Sequence, residues 1–157
     1  LRIIAIDTVE SKLSLATQFG ATEVVDASTG DVVQKVIDMT DGGVDYSFEA
    51  IGLKETAEQC YEMLRPAGTA TIIGMIPEGT KIEIDAGSFL RRERKIQGSS
   101  MGSNRFRTDM PKYIEFYKQG RLKLDELVSQ HLKLDQLNQA FADMKSGNVA
   151  RSVITFD

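Results

Sequence analysis

Asp7 closes the run Leu1-Arg2-Ile3-Ile4-Ala5-Ile6-Asp7, an apolar stretch typical of a buried parallel strand. An acidic residue at the carboxyl end of such a strand is placed to accept two hydrogen bonds from adenosine ribose hydroxyls. Its charge also repels a 2′-phosphate, which favours NAD over NADP. Position alone leaves a second reading open, an Asp that initiates the helix starting at Val9. Gly74 ends another apolar run, Thr69–Met75, where a missing Cβ lets a ligand approach the backbone closely. Arg151 offers a guanidinium that can pair bidentately with phosphate oxygens, and it reads equally as a surface ion-pair partner.

The remaining reactive residue types read as structural. His131 is the only histidine, and Cys60 is the only cysteine, mid-helix beside Tyr61 where buried filler is the default. Glu49, in Ser-Phe-Glu-Ala, reads as a structural carboxylate rather than a base. One Cys and one His exclude an internal disulfide and a Cys/His zinc cluster within the chain. Gly42-Gly43 precedes a strand and is a turn, and no G-x-G-x-x-G occurs.

Those residues need a scaffold, and the 157-residue chain has the composition of one: 41% hydrophobic and 27% charged, ordinary for a globular domain. With 19 basic against 23 acidic residues, scattered, it is a poor nucleic-acid binder. No apolar stretch approaches the ~18 residues of a membrane span, and a reduced, cytoplasmic setting is the natural expectation. Leu1 opens directly into a strand, without initiator Met or signal peptide, so the chain reads as a fragment or the product of a cut.

Strand and helix signals alternate. Strands are expected at 2–6, 23–26, 44–50, 69–75, 80–85, 95–101 and 151–156. Helices are expected at 9–19, from Asp31 to the Asp41-Gly42-Gly43 stop, and at 54–64, 89–92, 110–119 and 134–145. Pro66-Ala67-Gly68 reads as a turn, Pro111 as a first-turn proline, and Gly147 as a helix cap. Crossovers of this length suit only parallel pairing, so the expected class is α/β with a doubly wound parallel sheet.

Five stretches carry a resemblance. They are Arg-Ile-Ile-Ala-Ile-Asp, Phe-Gly-Ala-Thr-Glu-Val-Val-Asp, Thr-Asp-Gly-Gly-Val-Asp-Tyr-Ser-Phe-Glu-Ala-Ile-Gly, Thr-Ile-Ile-Gly-Met and Ser-Gly-Asn-Val-Ala-Arg-Ser-Val-Ile-Thr-Phe. Spread in order from end to end, they resemble the C-terminal part of medium-chain zinc-dependent alcohol dehydrogenases, of the horse-liver and glutathione-dependent formaldehyde dehydrogenase group. The resemblance implies a Rossmann-type NAD-binding domain over 1–102, lacking its first strand and Gly-rich turn, and a 103–157 segment returning to the catalytic domain. It implies that Asp7 and Lys12 hold the adenosine ribose and Thr8 borders the adenine. Ile51 lies on the adenosine side; Ile73, Gly74, Ser99 and Met101 border the nicotinamide carboxamide; Arg151 approaches the pyrophosphate. Duller readings stand beside these: Lys12 as a solvated helix residue, Ile51 and Ile73 as core, Ser99 and Met101 as strand residues.

The same resemblance implies that the zinc ligands and proton relay lie in the absent N-terminal part. The whole enzyme would transfer hydride between an alcohol or aldehyde and NAD, and this chain alone would be inactive. A homo-oligomer is expected through the alternating segment 80–85, whose exposed edge invites pairing. A zinc-free quinone reductase, an S-adenosylmethionine-dependent methyltransferase and a non-catalytic nucleotide-sensing module remain as alternatives. No candidate first strand lies between 2–6 and 44–49. A vacant slot there would bury unpaired backbone groups at ~1–3 kcal/mol each. The expectation is therefore a separate upstream segment, direct pairing of the two strands, or exchange with a neighbour.

Overall fold

The computed structural model describes residues 1–147 and 149–156. In chain order the regular elements are β1 (Ile4–Asp7), α1 (Glu10–Gln18), β2 (Glu23–Asp26), α2 (Val32–Met39), β3 (Val44–Glu49), α3 (Lys54–Glu62) and β4 (Leu64–Ile72). They continue with α4 (Ala86–Arg91), β5 (Lys95–Gly98), α5 (Phe106–Lys118), β6 (Gln130–Leu132), α6 (Leu137–Ser146) and β7 (Ser152–Ile154). Two compact units result, Leu1–Val24 with Arg105–Asp157, and Val25–Asn104.

The second unit is built on a parallel sheet in the order β3-β4-β5. Each pairing closes over a helix, α3 or α4, as parallel strands require. Along β3 the side chains alternate. Ser47 and Glu49 are buried, while Tyr46 and Phe48 on the other face are 68% and 65% exposed. The buried face is thus polar, and the Ser47 hydroxyl donates to the Cys60 carbonyl at 2.6 Å. Cys60, Tyr61, Leu64 and Ala70 form the core beside it, with Val44, Ile84 and Ile96 packed on them. Helix α2 begins where the Asp31 carboxylate accepts the Gln34 amide at 3.1 Å, a side-chain cap, and it buries Val32 and Val36.

Strand β1 neighbours β2, and in the first unit β6 pairs in parallel with β7. Arg2 grips Glu23 through two 2.7 Å bonds. Gly147 ends α6 with φ 75, the left-handed cap expected of it. The apolar stripe of α5, which includes Phe106, Met110 and Ile114, is exposed. No helix among the described residues is long and apolar enough to cross a membrane.

Several expectations need correction. The strands form three sheets rather than one, and β1 and β3 are not paired. Strand β4 starts at Leu64 and absorbs Pro66-Ala67-Gly68 as an irregularity, the register stepping from Val44↔Leu64 to Tyr46↔Thr69. Ala67 takes φ 64 there, and its amide donates to the Arg92 carbonyl at 2.8 Å.

Residues 80–85 form no strand. Ile84 packs on the core, but the Glu83 amide is taken by the Glu58 carboxylate at 2.7 Å, and Asp85 caps α4. Strand β5 stops at Gly98, and Met101, Gly102 and Ser103 all take positive φ, at 48, 69 and 53. Pro111 is interior to α5. The helix starts earlier because Asp109 accepts the Arg105 amide at 2.7 Å.

Gly42 and Gly43 have similar φ, 110 and 118, but a Cβ on Gly43 would lie 2.6–2.7 Å from backbone atoms of Met63, Leu64 and Arg65, whereas Gly42 has nothing within 4 Å. Gly43→Ala is therefore expected to lose roughly 2–4 kcal/mol, against about 1 kcal/mol for Gly42→Ala. Urea denaturation of both variants measures the difference, and equal losses would place the cost in φ alone.

Candidate functional site

The carboxyl ends of β3 and β4 are tied together by one residue. Glu49 ends β3 and is 2% exposed. Its Oε1 accepts the Ile51 amide at 2.8 Å, the Gly52 amide at 2.7 Å and the Thr56 hydroxyl at 2.8 Å. Its main-chain carbonyl accepts the amides of Ile73 at 2.8 Å and Gly74 at 3.1 Å. Burial raises the Glu49 pKa, but the donors from Gly52, Thr56, Ile51 and Leu53 outweigh it, and the carboxyl sits below its ordinary value. The other oxygen, Oε2, is buried without a hydrogen-bond partner among the described residues.

Gly74 fits against this group, for a reason other than the expected one. A Cβ at Gly74 would collide with the Gly52 amide and with Glu49 Oε2. The missing side chain admits the chain's own backbone and carboxylate. The β5 end joins the cluster, the Ser99 amide donating to the Ile72 carbonyl at 2.9 Å. Ile51 and Ile73 are 65% and 38% exposed, so neither is the core residue of the duller reading, and Met101 is 74% exposed. Ile73, Gly74 and Ser99 are thus held by backbone bonds and Ile51 by the Glu49 carboxylate, and Met101 follows on the left-handed segment. Glu49 is the organiser that the sequence reading left as structural. Its signal was an acid at the end of the strand Val-Asp-Tyr-Ser-Phe-Glu, ahead of Ala-Ile-Gly.

The first unit holds the other candidates. Asp7 ends β1, half-buried, and its Oδ1 accepts the Val9 amide at 2.9 Å ahead of α1. That bond reaches the residue before α1 and engages one oxygen, and α1 itself begins without a side-chain cap. Thr8 is exposed in the same turn. The Lys12 ammonium lies 3.8 Å from where a Cβ of Gly147 would stand, beside the carbonyl-rich end of α6. Arg151 is exposed, its amide 3.3 Å from the Ser129 hydroxyl, and its guanidinium has no ion pair among the described residues. In the second unit Cys60 is inert: burial raises its thiol to about 11, despite the Ser47 hydroxyl, with Glu49 raising it further. His131 is exposed in β6.

Residues 1–119 match the family model described as zinc-binding dehydrogenase. The chain belongs to this family. It is 38% identical over 162 residues to S-(hydroxymethyl)glutathione dehydrogenase of Komagataella pastoris, covering 98% of this chain and 41% of that protein. Benzyl alcohol dehydrogenase of Acinetobacter calcoaceticus superposes with a TM-score of 0.93 at 33% identity, over 99% of this chain and 43% of that one. A zinc-binding dehydrogenase of Sinorhizobium meliloti, solved bound to NADP, gives a TM-score of 0.87 at 26% identity, over 99% and 45%. The family's fold is therefore the Rossmann-like α/β class, and the chain spans about two fifths of the length of such relatives. Zinc does not fit here: among the described residues no group of three or more His, Cys, Asp or Glu side chains is placed to hold a metal.

Glu49→Ala would strip three donors of their acceptor and is expected to lose roughly 2–4 kcal/mol. The Glu49 pKa is depressed on folding, so its contribution is present above the unfolded carboxyl pKa and is lost as pH falls through the lower folded value. Urea midpoints taken from neutral to acid pH should fall less steeply for Glu49→Gln than for the unmutated chain. Parallel profiles would remove Glu49 from the acid response.

Proposed function

We propose that this chain is the coenzyme-binding portion of an NAD-dependent, zinc-dependent alcohol dehydrogenase, which transfers hydride between an alcohol or aldehyde and NAD. The observation that carries the reading is Asp7. Its carboxylate stands at the carboxyl end of β1 with one oxygen held by Val9, and the other accepts no hydrogen bond among the described residues. A carboxylate fixed in that way suits a ribose diol. NAD, when bound, supplies the hydride acceptor. Family membership and the alcohol dehydrogenase relatives support the reaction class.

The chain's residues would divide the work as follows. Asp7 accepts the ribose hydroxyls, with Lys12 beside it and Thr8 at the adenine. Arg151, free of ion pairs among the described residues, meets the pyrophosphate. Ile51 offers apolar surface to the adenosine side. Ile73 and Gly74, positioned by the Glu49 carbonyl, border the carboxamide with Ser99 and Met101. The chemistry that activates the alcohol lies outside the residues present, so this chain alone would not turn over substrate. A methyltransferase sheet would end in an antiparallel hairpin, whereas β4 and β5 pair in parallel.

The relative bound to NADP makes cofactor preference the deciding measurement. In the whole enzyme kcat/KM is expected to favour NAD over NADP, and Asp7→Gly to narrow that preference by at least about tenfold. Equal efficiency with both cofactors before mutation would refute the assignment of Asp7.

Self-association through 80–85 is also proposed. There Ile82 and Ile84 are half-buried and alternate with exposed Lys81, Glu83 and Asp85. Ile82→Pro should shift the species seen by light scattering toward monomer. An unchanged oligomer would move the interface elsewhere.

A further inference from the structure

Gly147 ends α6 with φ 75 and Ser152 opens β7, so Arg151 is the last residue before the strand, and it is exposed. Its guanidinium has no ion pair among the described residues to hold it in one place. A cation on a long flexible stem loses affinity for every bond that must be ordered when a ligand arrives. What reduces that loss is a main chain already fixed beneath it.

One residue does the fixing. Ser129 stands just ahead of β6, and its amide donates to the Arg151 carbonyl at 2.8 Å. Its hydroxyl oxygen accepts the Ala150 amide at 3.0 Å and the Arg151 amide at 3.3 Å. Both main-chain polar groups of Arg151 therefore end on Ser129. The ladder beyond, from Gln130 with Ser152 to Leu132 with Ile154, is formed by main chain and does not need that hydroxyl. Among the described residues the hydroxyl serves the two amides ahead of β7 and nothing else. Those amides would otherwise face water, and the connection carrying Arg151 would be tied by its carbonyl alone.

We propose that Ser129 is a positioning residue for coenzyme binding: its hydroxyl fixes the Arg151 main chain so that the guanidinium meets a diphosphate already oriented. The inference rests on the reading of Arg151 as the pyrophosphate contact, and it adds a residue that does not itself touch the ligand. The ribose contact is set independently. Asp7 is held through the Val9 amide, with no bond to Ser129. Loss of the Ser129 hydroxyl therefore weakens recognition of phosphates and spares recognition of the nucleoside.

The test is inhibition of the whole enzyme against NAD by ADP, which carries a diphosphate, and by adenosine, which does not. Ser129→Ala is expected to raise the ADP inhibition constant about fivefold and to leave that of adenosine within about twofold. Ser129→Thr keeps the hydroxyl and should restore the ADP constant. Arg151→Gln alone should weaken ADP by about tenfold or more. Adding Ser129→Ala to Arg151→Gln should then cost nothing further, as for two residues that act through one group. Four results would overturn the proposal and leave the Arg151 reading standing: an unchanged ADP constant in Ser129→Ala, equal weakening of ADP and adenosine, no rescue by Ser129→Thr, or the same loss repeated in the Arg151→Gln background. An unchanged ADP constant in Arg151→Gln would overturn the Arg151 reading itself, and this inference with it.

Discussion

Burying an ionised carboxylate is costly unless donors surround it, and Glu49 meets that constraint with backbone amides drawn from the loop it must hold. Much of the local geometry follows. The loop after β3 folds back so that Ile51 and Gly52 point their amides at one oxygen, and Thr56 brings the first turn of α3 to the same place. The loop after β4 is held by the carbonyl of the same residue. Space is then so short that Gly52 and Gly74 tolerate no Cβ. Ile51 and Ile73 are left facing outward on a rigid base, which is what a surface that receives a ligand requires.

The alternation of elements was legible because most helices carry their own punctuation. Asp31 announces α2, and Gly147 ends α6. Other signals misled for physical reasons. Pro66-Ala67-Gly68 has turn chemistry, yet a sheet accommodates it as a bulge when the partner strand continues past it. The period-2 pattern of 80–85 records half-burial on a core, which an extended segment achieves without a ladder. Pro111 resembled a helix start because the real start depends on a carboxylate, Asp109, reaching back to Arg105.

The candidate site was legible in part, and unevenly. Asp7 was visible because strand-end acids act through position. Glu49 was underrated because its importance lies in how many donors converge on it, which one sequence does not display. Gly74 was singled out because a strand-end glycine permits close approach. A missing Cβ reports close approach without naming what approaches, and here the neighbours are Gly52 and Glu49.

The parallel ladders have a consequence for how the chain reaches this structure. Val44 meets Leu64, Thr69 meets Lys95 and Gln130 meets Ser152, so none of these three ladders can zip outward from a tight hairpin. Each loop must close before its first ladder bond forms, and the closure entropy comes before any return. During synthesis β3 emerges before its partner β4 exists, and β4 waits in turn for β5. The helices between them are the only elements able to form on local contacts in that interval. The order of assembly is therefore helix first and sheet after, and the slow step is the meeting of strands that were made far apart in time.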